Sequence, residues 1–164
     1  MRNKTAYFGM FTALALILSY VEFLIPFHFG VPGIKLGLAN LIIVIVLYKC
    51  SAKEAIVLSV LRILLSGFMF GNMFSIIYSL AGGILSWIVM VLLKRTGTFS
   101  ITGVSIAGGV SHNVGQLVVA MLVVESYKAG FYLPVLLVAG VITGFIIGII
   151  SSEILRRITD FKFS

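Results

Sequence analysis

Seven polar residues stand in or beside otherwise apolar stretches of this chain: Lys35, Asn40, Arg62, Asn72, His112, Asn113 and Gln116. The densest group lies in GVSHNVGQLVV, residues 109–119, inside a run from Thr96 to Val124 that holds no Asp, Glu, Lys or Arg. A histidine can exchange a proton near neutrality. An arginine offers a planar fork of donors to an anionic head, and side-chain amides both donate and accept hydrogen bonds. Such a set suits the binding of a small molecule with an anionic or hydrogen-bonding head and an apolar body. On a helix, His112 and Gln116 are i and i+4 and share a face, while Asn113 is rotated by ~100° and flanks it. The same residues can instead hydrogen-bond one helix to another. Residue type alone leaves both roles open.

Composition sets the solvent for that chemistry. Of 164 residues, 60% are hydrophobic and 10% charged, with a mean hydropathy of +1.20, outside the range of a water-soluble domain. The uncharged stretches run to roughly 20–30 residues, enough to cross a hydrocarbon core of ~30 Å as helix. The alternation of a barrel strand is absent, so the fold expected is an all-α integral membrane protein. Six spans are expected, at about 5–25, 36–49, 53–70, 73–93, 102–125 and 131–155. No polar linker divides them, and residues 1–164 read as one domain. The N-terminal segment MRNKTAYFGMF leads into an apolar run without a convincing cleavage site and reads as a retained first helix.

Topology follows from the basic residues. With both termini inside, the inner ends hold Arg2, Lys4, Lys49, Lys53, Lys94, Arg95, Arg156, Arg157 and Lys162, against Lys35 and Lys128 outside. That asymmetry predicts an N-in, C-in arrangement. It also accounts for the net charge of +7 through contact with anionic membrane lipid, so no nucleic-acid partner is required.

Depth then orders the polar residues. Arg62 lies nine residues beyond Lys53, ~13 Å into the membrane, and His112 lies comparably deep in the fifth span. Asn40 falls one to two turns below the outer end of the second helix, with Lys35 at its mouth. Asn72 closes the outer end of the third. Glu22 and Glu125 fall near the outer face, and Glu54 is two turns from Arg62 toward the cytoplasm, so no acidic residue is expected at the depth of Arg62. The connection PFHFGVPGI, residues 26–34, reads as a lid over a site or as a plain turn. Gly140, Gly144 and Gly148 form a small-residue stripe suited to internal packing. Gly9 and Ala13 form a shorter one suited to docking a partner. Cys50 is the only cysteine, which excludes an internal disulfide, a dithiol redox pair and a cysteine-bound cluster.

The run Gly33-x-Lys35-Leu36-Gly37-Leu38-Ala39-Asn40, the deep Arg62, FGNMFSIIYSLAGG at 70–83 and SHNVGQ at 111–116 together resemble the Gx transporter family. That family is also labelled heptaprenyl diphosphate synthase component I, and the resemblance covers nearly the whole chain. It implies an architecture like the substrate-binding S components of energy-coupling factor (ECF) transporters, six-helix proteins of the bacterial cytoplasmic membrane whose first helix docks on a transmembrane partner. Gly9 and Ala13 match that docking pattern loosely, since alanine is usual at both positions.

The synthase label does not extend to catalysis here. Prenyl synthases hold Mg²⁺ with aspartate-rich motifs, and the only aspartate is Asp160, beyond the last helix. There is also no phosphate-binding glycine loop, so ATP-driven uptake would need separate ATPase subunits. Two functions remain. One is a membrane subunit that captures a small, anionic or isoprenoid-like ligand through Lys35, Asn40, Arg62, Asn72, His112, Asn113 and Gln116, coupled to ECF transmembrane and ATPase subunits. The other, implied by relatives assigned to flavin-based extracellular electron transfer, is presentation of a demethylmenaquinone-type lipid to an extracytoplasmic flavoprotein, with His112 exchanging the proton. No intrinsic cofactor or metal is expected: there is no haem motif, and ITGVS at 101–105 lacks the upstream Asp and the Ala of a covalent flavin acceptor. A bound lipid quinone would then carry the electrons.

Overall fold

The computed structural model describes residues 2–25, 37–123, 125 and 127–158. Among these, six α-helices follow one another: α1 (Arg2–Leu24), α2 (Asn40–Lys49), α3 (Ala52–Phe70), α4 (Met73–Thr96), α5 (Ile101–Val123) and α6 (Leu133–Arg157), with a short 3-10 helix at Tyr127–Tyr132 ahead of α6. No strand occurs among the described residues. The all-helical expectation therefore holds, and its physical reason is that backbone groups in hydrocarbon must be satisfied within their own segment.

Helix ends fall where side chains can satisfy the terminal backbone groups. Ser51, in extended conformation, accepts from the Glu54 N–H at 3.2 Å and starts α3. Asn72 does the same for α4, accepting from the Ser75 N–H at 2.8 Å. Gly97 closes α4 with φ +70°, and Pro134 sits in the first turn of α6, where its missing N–H costs nothing.

Four segments are long and apolar enough to cross a membrane: Thr5–Leu24, Met73–Thr96, Ile101–Val123 and Gly130–Arg157. They make this a membrane protein. α3 carries Lys53, Glu54 and Arg62 within its 19 residues, and α2 has only 10 residues, so it covers about 15 Å, half of a hydrocarbon core. α2 begins later than the sequence pattern predicts, at Asn40 rather than near residue 36. Gly37, with φ +84°, stands just before it in a backbone conformation that no helix interior contains.

α2 is the axis of the structure. It is apolar on all sides, seven of its ten residues are buried, and it touches α1, α3, α5 and α6, as an all-round apolar helix should. Its lower end is tied to α4, where Lys94 donates to the Leu47 carbonyl and lies 4.8 Å from the Tyr48 ring centroid; Trp87 Nε1 on α4 donates to the Ala52 carbonyl, at the start of α3, at 2.9 Å. A cation at that position also suits the negative end of the α2 dipole.

The α6 glycines do pack internally. A Cβ on Gly144 would fall 2.7 Å from Ile106 Cα, and one on Gly148 2.7 Å from Thr102 Cα, so α5 and α6 meet backbone to backbone. A second seam joins α4 to α5, where a Cβ on Gly115 would lie 2.9 Å from the Ala81 carbonyl oxygen. Dispersion contacts between closely apposed backbones are what hold helices together in lipid. Opposite these seams α6 exposes Val138, Val141, Ile142, Phe145, Ile146 and Ile149, side chains that belong against acyl chains. By contrast Gly9 is exposed, and a Cβ there would meet nothing within 4 Å.

These seams predict unequal effects of the same substitution. Gly144→Val should destabilise the protein by ~1–3 kcal/mol, as overpacking does, while Gly9→Val should stay within about 0.5 kcal/mol of the parent. Thermal unfolding of both variants in one detergent checks this.

Candidate functional site

The site begins with a register. α2 and α3 are neighbours joined by Cys50–Ser51. Asn40 lies nine residues before the end of α2, and Arg62 ten residues after the start of α3. Both are therefore about 15 Å above the turn. At that common level Arg62 Nη2 donates to Asn40 Oδ1 at 3.1 Å. Arg62 is 4% exposed, so its charge is removed from water among helices.

The compensating charge is Glu22. This carboxylate, at the end of α1, is buried; it acts electrostatically on Arg62 and accepts the Gly37 N–H. No acidic residue is expected at the depth of Arg62, yet Glu22, from the end of α1, acts on its charge. Glu22 is the residue that sequence reasoning missed, although it is one of only four glutamates in the chain and ends an uncharged run.

Gly37 connects this pair to the fifth helix. Its carbonyl accepts the Asn40 N–H at 2.8 Å, starting α2. A Cβ at Gly37 would lie 2.9 Å from Asn40 Nδ2 and 3.6 Å from His112 Cδ2. Asn40 and His112 therefore both crowd the side of Gly37 where a Cβ would stand. The other edge of the His112 ring meets α4: a Cβ on Gly82 would lie 3.0 Å from His112 Nδ1 and 2.8 Å from Gln116 Cγ. His112 and Gln116 do share a face, and both are buried.

Asn113 is turned away from that face. It is buried, and its Nδ2 donates to the Leu136 carbonyl on α6 at 2.8 Å, which is the helix-to-helix bond that the second reading of these residues anticipates. Asn72 is exposed, and its oxygen serves the α4 cap. Gly9 and Ala13 are exposed on α1. Lys35 and the connection 26–34 lie outside the described residues. The structure thus gathers Glu22, Gly37, Asn40, Arg62, His112 and Gln116, leaves Asn113 on the adjacent seam, and places Asn72 at a helix cap.

Chemically the gathered set is a buried arginine with an acidic neighbour, an imidazole and two amides, carried by α1, α2, α3 and α5. Toward the end of α5 and just beyond it, Val118, Met121, Leu122 and Glu125 line an open groove of about 410 Å³. That volume lies within the range of small-molecule sites, and its walls are mainly apolar.

Comparison with curated proteins and with solved structures finds no match. A family model does match, that of heptaprenyl diphosphate synthase component I, over residues 11–154. The match runs from within α1 to near the end of α6 and includes every residue of the gathered set, so this chain belongs to the heptaprenyl diphosphate synthase component I family.

Proposed function

We propose that this protein is the substrate-binding subunit of a membrane transport system, holding a small ligand with a polar head and an apolar body among Arg62, Asn40, His112 and Gln116. The observation that carries this reading is the convergence of Glu22, Asn40, Arg62 and His112 around Gly37. Burying an arginine and a carboxylate inside a membrane bundle is costly for stability, and intramembrane charges of this kind mark ligand and ion paths. Glu22 holds the guanidinium ready, and a ligand head would compete for its remaining N–H donors. His112 and Gln116 would orient that head by hydrogen bonds. Asn113 supports the wall from the seam.

In this reading all six helices lie in the bacterial cytoplasmic membrane with both termini inside, and α2 is a short central span. The exposed Gly9 and Ala13 give α1 an open small-residue face, which suits docking on a transmembrane partner energised by separate ATPases.

A second reading is supported by the groove on α5. The open groove of about 410 Å³, lined by Val118, Met121, Leu122 and Glu125, suits the tail of a lipid quinone. The protein would then present a demethylmenaquinone-type lipid to an extracytoplasmic flavoprotein, and His112 would pass the proton released on quinol oxidation.

Extraction of gently purified protein followed by mass spectrometry, with pull-down of ATPase partners, separates the two. A water-soluble ligand together with an ATPase complex is the result expected for transport. Near-stoichiometric quinone without such partners would overturn it in favour of the second reading. For the site itself, Arg62→Lys keeps the charge beside Glu22 but loses the planar fork, and His112→Gln removes the imidazole. Each should reduce the co-purifying ligand at least about tenfold, the loss of ~1.4 kcal/mol of binding, while the unfolding midpoint stays within a few degrees. Asn72→Ala should instead cost about 1 kcal/mol through the lost cap and leave ligand content unchanged. Loss of folding in both site variants would reassign Arg62 and His112 to helix-to-helix bonding.

A further inference from the structure

Where α2, α4, α5 and α6 meet, beside Asn40, the helices leave a small cavity of about 10 Å³. Its polar lining comes from Asn40 on α2, Ser86 on α4, Ser105 on α5 and Thr143 on α6. The glycines that bring α5 and α6 together also make this space: Gly108, Gly109 and Gly144 contribute walls without side chains. A Cβ on Gly108 would stand 3.2 Å from Ser86 Oγ.

The polar groups are unevenly satisfied. Thr143 Oγ1 donates to the Ala139 carbonyl at 2.9 Å, so its lone pairs remain available. Asn40 Oδ1 accepts from Arg62. Ser86 is 1% exposed, and its hydroxyl has no hydrogen-bond partner among the described residues. A hydroxyl buried in a membrane bundle does not stay unsatisfied without a large cost. The cavity has about the volume of one water-sized sphere, and a buried water needs two to four polar partners. Four polar side chains border it.

We propose that one ordered water molecule resides in this cavity, hydrogen-bonded to the Ser86 hydroxyl and to its polar neighbours Asn40, Ser105 and Thr143. The lining contains no carboxylate, and the guanidinium of Arg62 is bonded to one of the lining residues, so a neutral occupant is favoured over a metal cation. The water ties the helix that carries Asn40 to the α5–α6 seam. It therefore lends the Arg62–Asn40 contact support from three further helices.

The sign of one substitution decides between a wet and a dry cavity. If water satisfies Ser86, Ser86→Ala removes a hydrogen bond and should lower the thermal unfolding midpoint by about 2–4 °C, equally in sodium chloride and choline chloride. In a dry cavity the same change removes an unsatisfied hydroxyl, so an unchanged or higher midpoint overturns the proposal. A wild-type midpoint that rises when sodium replaces choline would assign a cation and overturn it as well. Should Ser86→Ala fail to fold, a high-resolution structure of the unsubstituted protein decides: one solvent peak within hydrogen-bonding distance of Ser86 Oγ is expected, and its absence contradicts the water.

Discussion

A guanidinium buried inside a helix bundle governs the rest of this structure. Arg62 cannot shed its charge under ordinary conditions, and in low dielectric an isolated charge of that kind is prohibitively costly. Everything around it answers that cost. Glu22 supplies the opposite charge, Asn40 supplies an acceptor, and the turn at Gly37 brings both within reach by donating its N–H to the same carboxylate. A positive φ at Gly37 is what allows the chain to make that turn and start α2 three residues later.

The glycine seams serve the same centre from the other side. Gly82 on α4 admits the His112 carbonyl and ring to van der Waals range, which sets the imidazole against Gly37. The α5–α6 seam then fixes the far wall through Asn113 and Leu136. A bundle with bulkier residues at these positions would separate α4, α5 and α6, and His112 would lose its place beside Asn40. Packing without side chains and polar clustering are thus one design, since close backbones give room for large polar side chains in between.

Much of this could be read from residues alone. The helical class follows from hydropathy, and the shared face of His112 and Gln116 follows from their spacing. The α6 glycines follow from a four-residue repeat. Other features escaped because they depend on two segments at once. Glu22 belongs to Arg62 only after α1 is laid against α3, which no periodicity within either helix reveals. Gly108 and Gly115 lie seven residues apart, two turns along one face, so a search for glycines four apart passes over the α4–α5 seam. Asn72 looks like a membrane-edge ligand by type, yet asparagine just before a helix most often caps it.

The mutual stabilisation of Glu22 and Arg62 is the centre of this structure, and a double-mutant cycle measures that coupling directly. Glu22→Gln, Arg62→Met and the double variant would be unfolded reversibly in the same detergent. Each single change leaves a buried charge without its counterpart, so the double variant should be more stable than the sum of the singles predicts, by more than about 1 kcal/mol. Additivity to within about 0.5 kcal/mol would show that the two charges stand independently and would contradict the account.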